Sequence, residues 1–110
     1  MKQKLLEATD TDSIVTGLTI GGAVRGLRNP FSEHFVELEL AGKTDKETLL
    51  KMATGTNRLA AVDGDVEHGM MQAGQSLTPL TAIEPAAVIL ERIIQEARET
   101  LDKAATIKYN

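Results

Sequence analysis

The strongest constraint on this chain lies between Pro85 and Ala105. There Ala86, Leu90, Ile93, Ile94, Ala97, Leu101 and Ala104 recur at spacings of three and four, opposite Glu91, Arg92, Glu96, Arg98, Glu99 and Asp102. That periodicity predicts an amphipathic helix of about five turns. A single helix of this length is marginal in water, so its apolar stripe has to be covered by another surface. The helices readable upstream are short and poorly capped, which makes them thin cover. The stripe therefore predicts a missing partner surface, and self-association as a dimer that pairs the apolar faces of the last helix.

The remainder of the chain must supply whatever core there is. One domain at most is expected from 110 residues. Aromatic residues are only 3% of the chain against 42% hydrophobic, so the core must be aliphatic. A net charge of -4 argues against nucleic acid, whose phosphates need a cationic face to release counterions. No cysteine is present, which removes disulfides, thiolate metal sites and a cysteine nucleophile. No apolar run approaches the ~20 residues that span a bilayer, and Lys2, Lys4 and Glu7 leave no secretory signal, so a cytoplasmic location without membrane contact is expected.

Local punctuation divides the chain. Residues 2–8 read as one or two helical turns, and Ser13 to Thr19 is β-branched enough for one short strand. A stretch with Gly21, Gly22 and Gly26 leads to Asn29-Pro30, an N-cap followed by a proline whose missing N–H had no partner there. The helix so begun is expected to run to Ala41 and stop at Gly42. Thr44 to Glu47 reads as a capping box for the next helix, with Leu49, Leu50, Met52 and Ala53 as its apolar side and Gly55 as its end. Asn57 to Val62 is too short to stand alone, Asp63-Gly64-Asp65 breaks it, and a further helical stretch is expected through Met70, Met71 and Ala73 until Pro79.

The chemical motifs are weak taken one by one. Asp63 to His68 is acidic, but an EF-hand loop counted from Asp63 would put its turn glycine at His68 and its bidentate glutamate at Gly74, so a helix break is the better reading. His34 has no identifiable acid or base partner and reads as a surface histidine. Gly21 to Gly26 lacks the spacing of a phosphate loop, so these glycines are expected to permit tight turns or close backbone approach. Arg25 and Arg28 could meet an anion but read as solvated. Gly74, inside a stretch expected to be helical, signals close approach of another backbone or of a ligand, with packing the better reading of the two.

Three motifs in register carry a family resemblance. Asn57 to Leu101 contains GDVEHG (64–69), AGQ (73–75) and the helix start PAAVIL (85–90). In that order and spacing they resemble the closing segment of the FMN-dependent family of nitronate monooxygenases and flavin-type enoyl-(acyl carrier protein) reductases. SIVTGLTIGGAVRGLRNP (13–30) is similar to the preceding stretch of the same family. The resemblance implies a mainly α fold, the helical lid and C-terminal helix of a TIM-barrel flavoenzyme, with one short strand and without the barrel strands. Residues 1–10 would be the last barrel-type helix, 11–29 a short strand and glycine-rich loop, 30–80 the helical lid, and 81–110 the C-terminal helix and tail.

By the same resemblance Gln72, Gly74 and Gln75 would lie close to the flavin ring or its substrate pocket. The family's catalytic histidine and phosphate-gripping loops would lie upstream of Met1, leaving no catalytic residue and no metal site in this chain. The implied function is the lid portion of an FMN-dependent oxidoreductase or monooxygenase. It would be inactive and without bound FMN in isolation, and partnered by the missing barrel portion or by further copies of itself. The alternative is a free-standing oligomeric helical interaction module with no catalytic activity. The chain departs from the family pattern at Leu18, Gly22 and Ala23, where relatives have arginine, histidine and proline, at Gln72, where methionine is usual, and at Leu77-Thr78-Pro79 after the AGQ.

Overall fold

The first helix, α1 (Lys2–Glu7), ends where Thr9 closes a turn on Asp12, its N–H donating to Asp12 Oδ2 at 2.7 Å and its hydroxyl at 2.8 Å. From Ser13 the β-branched run enters β1 (Ser13–Thr16), which pairs antiparallel with β2 (Val24–Leu27), Ser13 opposite Leu27 and Thr16 opposite Val24. The second strand is a correction to the sequence expectation of one strand followed by a loop. Val24 and Leu27 supply β propensity, but only the turn at Gly17 to Gly22 folds them back onto Ser13 to Thr16. There Gly22 N–H donates to Gly17 O at 3.0 Å, and Gly21 takes a φ of +80° that an L side chain resists.

Helices α2 (Pro30–Ala41) and α3 (Lys46–Ala53) follow. The start of α2 is the expected one: Asn29 Oδ1 accepts from Ser32 N–H at 2.8 Å, Ser32 Oγ accepts from Asn29 N–H at 2.9 Å, and Gly42 closes the helix in the left-handed region. The expected box at Thr44 and Glu47 is displaced by one residue. Asp45 is the cap, its carboxylate accepting from Thr48 N–H at 2.9 Å and from the Thr48 hydroxyl at 2.7 Å. A carboxylate beside the helix N-terminus gains from the dipole, which a threonine hydroxyl does not. Residues Thr56–Ala61 form a short helix after all, α4, entered through Gly55 at φ +81°.

The helical stretch expected through Met70, Met71 and Ala73 is absent. Asp65 Oδ1 accepts from the N–H groups of Glu67 and His68 at 3.1 and 3.0 Å and turns the chain. The segment after the turn then runs extended beside β2, with Leu27 N–H donating to Met71 O at 2.9 Å and Ala73 N–H to Arg25 O at 3.2 Å. A tertiary ladder thus supplies the hydrogen bonds that a helix would have supplied locally. A 3-10 turn at Gln75–Leu77 leads to α5 (Ala86–Ala105), the long helix its periodicity predicts.

Mainly helical architecture around one two-stranded sheet is therefore the fold. The structure, a computed structural model, describes residues 1–107; the tail beyond Ile107 lies outside them. Two small cores hold it. Leu27, Ala60, Met71 and Leu77 form one, and Ile20, Phe35 and Leu49 the other. No residue of α5 is buried, and Leu90, Ile93, Ile94 and Leu101 are all more than half exposed. The radius of gyration is 18.4 Å, against about 13 Å for a compact domain of this length. The accessible surface of 7955 Å² likewise exceeds the about 6,000 Å² usual for a compact protein of this mass. Among the described residues no helix is long and apolar enough to cross a membrane, and no cluster of acidic or histidine side chains could hold a metal ion.

Three turn-closing carboxylates set an acid dependence. Asp12 is held below the ordinary 3.8 chiefly by the Thr9 N–H and hydroxyl, Asp45 by the Thr48 hydroxyl and N–H, and Asp65 by the His68 N–H and ring. A pKa lowered in the folded state means stability that is full above the unfolded value and is lost as pH falls through the folded one. The melting temperature is accordingly expected to fall below about pH 4. Exchanging the three aspartates for asparagine, which still caps and turns, should flatten that decline in thermal melts.

Candidate functional site

A cavity of about 130 Å³ opens between the β-hairpin, the start of α2 and the α3–α4 junction. Its floor is apolar, built from Ile20, Val24, Phe31, Phe35 and Met70. The two rings pack with centroids 5.8 Å apart, in reach of each other because residues four apart share a helix face. Thr16, Thr56, Asn57 and Gln72 bring hydrogen-bonding groups to the walls. No lining residue is ionisable, so the groove can orient a neutral, partly apolar group but cannot itself move a proton or balance a charge.

Each wall has a cause. The Gly17–Thr19 rim is held by one carboxylate of α2: Glu39 accepts from Gly17 N–H and Thr19 N–H at 2.9 Å each and from the Thr19 hydroxyl at 2.8 Å. Met70 is fixed to α4 through its N–H on Thr56 O at 3.0 Å, and the Thr56 hydroxyl closes on Ala53 O at 2.8 Å. Gln72 reaches the groove because its backbone bridges to Gly26 on β2. That bridge requires glycine: a Cβ at Gly26 would sit 2.6 Å from both Met71 O and Met70 Cε. This is the close approach that the glycine-rich sequence implies.

Asn29 ties the far side together. Besides capping α2, its Nδ2 donates to Val66 O at 2.9 Å and Gly69 O at 2.8 Å, and Phe31 N–H donates to Glu67 O at 3.1 Å. The turn containing GDVEHG is thereby fastened to the start of α2, and the segment bearing Gln72 leaves from it.

Of the three residues singled out from the sequence, the structure brings only Gln72 to the groove. Gly74 and Gln75 are exposed on the following turn and do not line it. Gly74 is extended rather than helical, and a Cβ there would meet only Ser76 Oγ, at 3.8 Å, so packing within the chain does not explain that glycine. His34 is a surface residue, 3.9 Å from Glu37. His68 caps its own turn with Asp65, Nδ1 to Oδ2 at 2.9 Å. Arg25 Nη1 donates to Ser13 Oγ at 2.8 Å and Arg28 lies 3.6 Å from Glu33, and neither lines the groove. Sequence reasoning missed Thr56, Asn57 and the Glu39 clamp. The GTN run at 55–57 was readable only as a helix stop, and nothing local reveals a contact made across 20 residues or more.

No protein-family model and no curated protein matches the chain. Solved structures do. FabK from Thermotoga maritima is similar over 94% of this chain, at 35% identity and a TM-score of 0.83. A methionine-to-alanine mutant of the same protein is similar over 94% at 33% identity and a TM-score of 0.74. The match covers 32% of FabK and 30% of its mutant, so the chain spans about a third of the length of the protein it resembles.

Proposed function

We propose that this chain is the closing segment, lid and last helix, of an FMN-dependent barrel oxidoreductase of the nitronate monooxygenase and enoyl-(acyl carrier protein) reductase type, and that it acts only together with a barrel. FabK is a flavin-type enoyl-(acyl carrier protein) reductase of that family, and the likeness to it in both fold and sequence supports the relation. The observation that carries the reading is the groove bearing Gln72, which has the character of one wall of a ligand site.

FMN tests that wall. A flavin site needs an apolar slot for the ring and a grip of amides or cations for a dianionic phosphate. The apolar floor with Gln72 and Asn57 suits contact with a ring or a substrate. The phosphate finds no match in a groove without any charged side chain, and about 130 Å³ is below the roughly 300 Å³ at which ligand pockets begin. The chain's own contribution is thus to cover and orient, through Gln72 and the threonines, and to keep water from an apolar surface. Gly74 and Gln75, on the exposed turn beside it, are the residues we assign to the edge facing the barrel. The excess surface and the uncovered sides of α1 and of Leu80 to Ile83 give a barrel something to cover.

Two measurements test this. Titrated with FMN and followed by flavin fluorescence, the 110-residue protein should give no saturable binding and should not oxidise NADPH or NADH. One-to-one micromolar binding that is lost on Gln75→Ala would make the chain a flavin protein in its own right. In the second, this chain replaces the matching third of FabK. The chimera should retain flavin, and Gln72→Ala should weaken its retention. A chimera that is folded by circular dichroism yet colourless would overturn the reading.

A further inference from the structure

Helix α5 has two apolar stripes about a quarter of a turn apart. One, with Ile89 and Ile93, turns toward the Pro79–Ala82 segment, where Arg92 Nη1 also meets Glu84 Oε2 at 2.6 Å. The other consists of Ala87, Leu90, Ile94, Ala97, Leu101 and Ala104, whose spacing of three, four, three, four, three is the strict repeat of a coiled-coil seam. This seam is open: Leu90 is 62%, Ile94 53% and Leu101 70% exposed.

We propose that the seam pairs with the same seam of a second copy of this chain, antiparallel, about a two-fold axis passing between Gln95 and Glu96. In that register every layer closes. Ala87 faces the partner's Ala104, Leu90 faces the partner's Leu101, and Ile94 faces the partner's Ala97. Alanine in three of the six seam positions lets the two backbones come close. Charge selects the orientation. Glu91 flanks the seam within about 3 Å of axial height of the partner's Arg98, and the two-fold axis repeats the pair.

A parallel pairing would instead set Ile93 beside the partner's Arg98 and Ala86 beside the partner's Glu91, leaving both charges without an opposite. Among the described residues neither Glu91 nor Arg98 forms an ion pair within the chain, whereas Arg92 does so twice. The accessible surface of 7955 Å² is about 2,000 Å² above that of a compact protein of this mass. A stable interface takes about 800 Å² per partner, which is less than that excess.

This inference goes beyond the flavin reading and stands without it. Analytical ultracentrifugation of the 110-residue protein at tens of micromolar should give a dimer. Leu90→Glu or Ile94→Glu should give a monomer that is still folded by circular dichroism. Glu91→Arg and Arg98→Glu each set like charges together on both flanks and should weaken the dimer about tenfold or more. The double exchange Glu91→Arg with Arg98→Glu should bring it back to within about threefold of the parent. A parent that sediments as a monomer, or charge exchanges that do not matter or do not compensate, would overturn the proposal.

Discussion

Asn29→Ala is expected to lower folding stability by about 3 kcal/mol, a large part of the total for a chain with so small a core. Loss of the helix cap accounts for about 1 kcal/mol of this. The rest comes from the carbonyls of Val66 and Gly69, which lose the Nδ2 donor that satisfies both, at about 1 kcal/mol or more each. Asn29→Asp separates the two contributions. An aspartate still accepts from Ser32 N–H and still caps, but it turns oxygen lone pairs toward those carbonyls. Urea unfolding followed by circular dichroism should find Asn29→Asp about as damaging as Asn29→Ala. If the aspartate variant is close to the parent, capping is the whole role of Asn29 and the turn at residues 66–69 is held by something else.

Gly26→Ala should be comparably severe, costing about 2 to 4 kcal/mol. The new methyl would lie 2.6 Å from Met71 O, a backbone atom that cannot rotate away, and 2.6 Å from Met70 Cε, which can. Relief requires moving the segment that accepts from Leu27 N–H, and with it the backbone of Gln72. The melting temperature should fall by about 10 °C or more. Gly22→Ala is the control, because a Cβ there meets nothing within 4 Å and its φ is not positive. A Gly26→Ala protein that melts with the control would remove the case that close approach positions Gln72.

These two residues also mark how far the sequence could be read. Asn29-Pro30 announced the start of α2 because capping and proline geometry are local, and α5 was legible because a three-and-four spacing over 20 residues admits one periodicity. Gly42 ended α2 where expected, again for reasons confined to a few residues, whereas α3 is closed by Thr54 and Gly55 serves instead as the entry to α4. The 66–73 stretch was misread as helical because its apolar residues do not say whether their amides are satisfied within the segment or by a neighbour. Its true partner, β2, lies more than 40 residues away.

The candidate site divides along the same line. Gln72 could be singled out from the resemblance, but that it lines a groove while Gly74 and Gln75 do not depends on the ladder from Gly26, on Asn29 holding the turn, and on Glu39 gripping the rim. The residues alone reveal what short-range physics controls: most of the caps, helix periodicity, the aliphatic core and the absence of thiol chemistry. Which backbone groups pair across the chain and which side chains share a surface emerges only on folding, because those choices are made by hydrogen bonds and contacts between segments that local propensity does not encode.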